Sequence, residues 1–184
     1  MRHARFVFVA ALSLVASSAH AQGGPSGPPK PATDVNRAML EIAAKIGAAA
    51  LKPGVSVSDR NIAISDAGGY NVTVAYVTRP ASKTMSGSVL SHDKITEIYY
   101  VVSGSGTQVT GALTNGTKQA GSTTIGPGWS SRTPIVNGRT TTLGPGEMQV
   151  IPPGTGHVWT EIGDGGIVYM TIRIDPERVT ALSK

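Results

Sequence analysis

The 184-residue sequence contains no cysteine. No disulfide can staple this chain, and no thiolate can serve it as nucleophile or metal ligand. Burial and backbone hydrogen bonding must hold it together alone. Basic charge is thin as well. The formal net charge is +5, without any Lys/Arg cluster, which argues against nucleic acid as a partner. No stretch reaches the ~20 apolar residues that a membrane-spanning helix needs. Aromatic residues make up only 5%, so Tyr99 and Trp159 stand out as residues to line a core or a pocket. Histidine is the most informative scarcity, with four in all, at 3, 20, 92 and 157.

The N-terminus has the pattern of a targeting segment. Met1 to Arg5 is basic, Phe6 to Ala16 is an apolar run of 11 residues, and Ala19-His20-Ala21 gives a small-x-small ending. This predicts a secretory signal over 1–21, cleaved after Ala21, and hence a periplasmic or secreted protein without a membrane anchor after cleavage. Removing Arg2 and Arg5 takes the net charge from +5 to +3. The mature chain would then keep only His92 and His157.

Residues 22–33 form a Pro/Gly-rich leader. Thr33 or Asp34 is expected to cap a helix over 34–52, with Val35, Ala38, Met39, Ile42, Ile46 and Ala49 at helical spacing. Its apolar face is expected to pack on the barrel or on a partner subunit. From Val55 the pattern turns to β. Short runs rich in Val, Ile, Thr and Tyr fall at 61–65, 70–79, 86–90, 96–103, 107–112, 139–143, 147–151, 157–162 and 167–174, with Gly, Pro, Asn or Asp between most of them. They predict an all-β sandwich or barrel over 55–178. Tyr76 and Met170 read as interior barrel positions. Residues 115–137 read as a long exposed excursion, a candidate lid over a pocket mouth.

Each remaining histidine sits in a distinctive stretch. His92 precedes Glu97 by five residues, and Gly104 follows. Gly146, Pro152 and Gly154 lead to His157. Alternation along a strand puts Glu97, Tyr99 and Val101 on one face, and His157, Trp159 and Glu161 on one face. A buried carboxylate needs a partner or an ion. Histidine is the commonest metal ligand. The pattern points to His92, Glu97 and His157 converging on one ion. Glu161 is a weak candidate for acid or base work, read more readily as a rim carboxylate paired to Arg79 or Arg173.

These residues resemble the cupin superfamily, whose motifs run G-x5-H-x-H-x3-4-E-x6-G and G-x5-P-x-G-x2-H-x3-N. His92, Glu97 and Gly104 match the later part of the first motif. Gly146, Pro152, Gly154 and His157 match the second. Leu90 falls where the first histidine is expected, Glu161 replaces the final Asn, and Thr84 lies where the opening Gly belongs. The resemblance spans roughly Tyr70 to Asp175. It implies an all-β fold, a double-stranded β-helix (jelly-roll) barrel with one N-terminal helix, and a metal between its two sheets.

With Leu90 in the chain, the expected ligand set shrinks to His92, Glu97 and His157. That is the donor set of non-haem Fe(II) sites, with Mn, Zn or Ni as alternatives. A barrel without metal, in which His92 and His157 are satisfied pocket histidines, is the competing reading. The classes left open are an Fe(II) dioxygenase, a Lewis-acid lyase or isomerase, and a non-enzymatic barrel that binds a small molecule. A small-molecule ligand or substrate is the expected partner. Exposed edge strands and the helix make a homodimer compatible with the pattern.

Overall fold

The computed structural model describes residues 31–122 and 124–180; the expected signal segment and most of the leader lie outside them. Helix α1 spans Arg37–Ala50. Its N-cap is Asn36, whose Oδ1 accepts the Met39 N–H at 3.1 Å. The cap therefore sits later than Thr33 or Asp34, where the side-chain acceptor can reach a free amide of the first turn. The helix packs on the first two strands. It does so through Ala43 and Gly47, while Ile42 and Ile46 stay exposed. Close approach explains the choice: a Cβ on Gly47 would lie 2.9 Å from Thr78 Oγ1.

Nine strands follow: β1 (Ser58–Asp66), β2 (Asn71–Arg79), β3 (Ser86–His92), β4 (Thr96–Gly111), β5 (Thr117–Gln119), β6 (Gly128–Ser131), β7 (Arg139–Leu143), β8 (Met148–Ile151) and β9 (Gly156–Asp175). All pairings are antiparallel. Two long strands run through both halves of the molecule. The first half of β4 and the second half of β9 pair with each other, flanked by β8 on one side and by β2 and β1 on the other. The second half of β4 pairs with the first half of β9, flanked by β7 and by β3, β6 and β5. Two faces of one folded ribbon thus enclose the core.

The sequence pattern divides each long strand in two. The structure joins them, with the register broken between Gly104 and Gly106 opposite the glycines at 163, 165 and 166. Those glycines mark where the strands change sheet rather than where they end. Gly104 adopts φ +73°, and a Cβ there would lie 2.0 Å from the Gly166 carbonyl oxygen. The excursion at 115–137 is corrected in part: it contributes β5 and β6, and β6 extends the sheet beside β3. Val77, Tyr99, Val101, Trp159, Ile162, Ile167 and Tyr169 belong to the buried core. Tyr76 and Met170 pair across β2 and β9 on the face opposite Val77 and Tyr169, the side where α1 meets Thr78.

Candidate metal centre

Three short-range features build the site. β3 ends at His92, and the turn at 93–95 leads straight into Glu97 on β4. β9 opens with Gly156 and His157. The Gly154 N–H donates to the His92 carbonyl at 2.7 Å. That bond ties the end of β3 to the turn that launches β9. Gly154 makes the turn at φ +76°, a conformation that glycine adopts without strain.

Glu97 thus comes from one sheet and the two histidines from the other. His92 Nε2 lies 3.4 Å and His157 Nε2 3.3 Å from Glu97 Oε2. One donor atom from each of the three falls within 4.8 Å of the others. All three residues are buried. Donors at about 2.1 Å from a small divalent ion lie about 3.0–3.4 Å apart in octahedral or tetrahedral arrangement. The observed spacings to Glu97 fit an ion between them.

The other oxygen of Glu97 is spoken for. Arg173 Nε donates to Oε1 at 2.9 Å, Nη1 to Asn61 Oδ1 at 3.1 Å, and Nη2 to Asp59. Tyr99 Oη donates to Oε2 at 3.0 Å. Burial alone would push the Glu97 carboxyl up. The His92 hydrogen bond, the Arg173 charge and the two imidazoles outweigh it, and the pKa falls well below the ordinary value. Burial also pushes the Tyr99 phenol well up, with Glu97 adding to the effect, so it stays a donor.

His157 carries the sharpest clue. Its Nδ1 lies 3.1 Å from the Thr155 carbonyl oxygen. A carbonyl only accepts, so Nδ1 bears the proton. Burial holds the ring below its ordinary pKa against the pull of Glu97. With Nδ1 bonded to the Thr155 carbonyl, Nε2 is the ring atom that faces the Glu97 carboxylate. At 3.3 Å either a proton or a metal ion can bridge Nε2 and the carboxylate oxygen. The Thr155 bond is also the kind of outer contact that fixes a metal-bound imidazole.

Both motif halves therefore meet at one point between two antiparallel sheets. The fold is an all-antiparallel β-barrel of the double-stranded kind that the sequence resemblance implies. Neither a family model nor a curated protein matches the chain. Solved structures resemble it at low identity. KdgF from Halomonas sp. is 15% identical with a TM-score of 0.44, over 68% of this chain and 82% of that one. A Klebsiella pneumoniae protein with a double-stranded β-helix domain is 15% identical with a TM-score of 0.42, over 70% and 85%. Bacillus subtilis oxalate decarboxylase is 19% identical with a TM-score of 0.39, over 62% of this chain; the match spans only 28% of that longer protein.

The pocket between the two sheets is a cavity of about 40 Å³. Tyr99 and Trp159 both line it and also belong to the core. Tyr99 and Trp159 lie parallel at 6.3 Å between ring centroids, and Tyr169 packs tilted against both at 4.6 and 5.5 Å. Leu90 lines the wall, paired in register with His157. Ile125, from the excursion, lines it too.

Glu161 does not reach the pocket. It is exposed and pairs with Lys83 at 3.4 Å, not with either arginine. The cause is a register shift: Thr107 faces Glu161 while Gln108 faces Trp159, so Thr160 is an extra residue in β9. The bulge reverses the alternation after Trp159 and turns Glu161 outward. Of the charged residues the sequence offers for the pocket, the two arginines reach it and Glu161 does not. Arg173 stands opposite Glu97 on β9, and Arg79 lines the cavity from β2. Each lies on a strand with alternating burial, which was the available signal.

Proposed function

We propose that this chain is an exported cupin that holds one divalent metal on His92 Nε2, His157 Nε2 and Glu97 Oε2, and that it binds or transforms a small molecule there. Fe(II) is the metal favoured by two histidines and one carboxylate, with Mn, Zn or Ni as alternatives. The observation that carries the reading is the buried convergence of His92 Nε2 and His157 Nε2 on one oxygen of Glu97, at 3.4 and 3.3 Å. A bound metal supplies Lewis acidity, or redox chemistry with O₂ if it is iron. The chain supplies the rest. Arg173 orients Glu97 through Oε1 and leaves Oε2 for the ion. The packed Tyr99, Trp159 and Tyr169 rings close the inner wall against water. Three protein donors leave coordination positions for a ligand.

Cobalt substitution tests this reading. Co(II) added to metal-free protein should give visible d–d bands typical of nitrogen and oxygen donors, and the bands should vanish in His92→Ala and His157→Ala. A spectrum of free aqueous Co(II) in the wild type would overturn it. A metal-free barrel that binds a small ligand is the second reading. It is favoured by Leu90 in the cavity wall and by the charge neutralisation that Arg173 already gives Glu97.

A further inference from the structure

The cavity holds two arginines with opposite situations. Arg173 meets two carboxylates, Glu97 and Asp59. Arg79 meets none. Its Nε donates to Tyr169 Oη at 3.0 Å, and its Nη1 to the Ser86 carbonyl at 3.0 Å and Ser86 Oγ at 3.4 Å. Among the described residues its Nη2 makes no hydrogen bond. Its hydrogen-bond partners are neutral, and Asp59, which favours its charge from a distance, accepts its hydrogen bond from Arg173. A half-buried guanidinium with no carboxylate in direct contact can still take an anionic partner. Tyr169 and Ser86 hold this one in a fixed orientation against the cavity.

A second group points the same way. Thr171 is fully buried, lines the cavity, and its Oγ1 has no hydrogen-bond partner. Of the buried side-chain atoms left without a protein partner, Thr171 Oγ1 belongs to a residue of the cavity lining, where it can donate to a bound group. The charges add to this. Asp59 and Glu97 balance Arg79 and Arg173, so the pocket is neutral before any metal enters. A divalent ion would leave it at +2 in a poorly solvated space, which calls for an anion. The space limits its size: about 40 Å³ is roughly three times what one water needs. That admits a carboxylate head and little more beside an ion.

We infer that the pocket binds a small carboxylate, anchored on Arg79 Nη2, with Thr171 Oγ1 as a further donor. This deepens the metal-site reading by naming the ligand class, yet Arg79 acts without the metal. A planar carboxylate suits a guanidinium edge, and the apolar Leu90 and Trp159 beside it suit a short carbon chain.

Calorimetric titration with acetate and with acetamide, its neutral isostere, tests the proposal. It is run on chelated and on metal-loaded protein. Acetate should bind at least about tenfold more tightly than acetamide, as expected for a hydrogen bond to a charged group. Arg79→Gln should erase that preference while circular dichroism shows a native fold. Equal binding of the two probes, or an acetate preference that survives Arg79→Gln, would overturn the proposal. So would tighter binding of inorganic phosphate than of acetate. The acetate–acetamide comparison needs only wild-type protein, so a misfolded variant does not remove the test. Acetate selectivity in chelated protein that cannot hold Co(II) would sink the metal reading and leave this one standing. Metal bound without acetate selectivity would do the reverse.

Discussion

Arg173 grips one oxygen of Glu97 at 2.9 Å and leaves the other facing two imidazoles at 3.3 and 3.4 Å. Both partners are 2% exposed. The pair spans β9 and β4 in direct register. Removing the arginine strands a buried carboxylate and frees Asp59 as well. Arg173→Met should destabilise the protein by about 3–5 kcal/mol. Adding Glu97→Gln to it should recover part of that loss, since the uncompensated charge disappears. Urea unfolding of both variants measures this. A single variant as stable as wild type would show that the pair does not organise the site.

The metal-free protein should lose stability with acid in two stages. The ordinary values are 6.5 for histidine and 4.5 for glutamate, and both His157 and Glu97 lie lower when folded. In each case the unfolded chain takes up the proton first as pH falls. Stability is therefore present above the unfolded pKa and is lost below it. Urea midpoints of chelated protein should hold from pH 8 to about 7, fall below 6.5, and fall again below 4.5. Each proton contributes a slope of at most about 1.4 kcal/mol per pH unit. His157→Gln should flatten the first stage. A rise in stability from pH 7 to 5.5 would contradict the neutral His157.

Two glycines should differ in what they tolerate. Gly104 and Gly154 both adopt positive φ, but a Cβ on Gly104 would lie 2.0 Å from a backbone oxygen, while one on Gly154 meets nothing within 4 Å. Gly154→Ala should cost about 1–2 kcal/mol from backbone strain alone. Gly104→Ala must also push two strands apart where they change sheet, and should cost clearly more. Thermal unfolding of the two variants, compared side by side, gives the ranking. Equal losses would count against the tight corner at Gly104.

Much of this site was legible in the residue pattern. Alternation on β4 puts Glu97, Tyr99 and Val101 on the buried face, as read from the sequence. The spacing of Gly146, Pro152, Gly154 and His157 describes the turn that brings His157 back to His92. Glu161 misled because a single extra residue, Thr160, reverses the alternation, and composition does not announce a bulge. Arg173 was visible as a charge in an apolar strand. Its partner was not, because pairing Glu97 with Arg173 needs the register of two strands 76 residues apart. The small residues of α1 misled in the same manner: Ala43 and Gly47 make the contact because they permit close approach, while the larger Ile42 and Ile46 remain outside.

The most direct measurement is elemental analysis of residues 22–184, purified without chelator, with His157→Ala beside it. The account predicts about one divalent metal per wild-type chain and almost none in the variant, as expected when one of only three protein donors is lost. A wild-type chain that holds no metal, even after reloading with Fe(II), Mn, Zn or Ni, would contradict the central claim and leave a ligand-binding barrel built on Arg79.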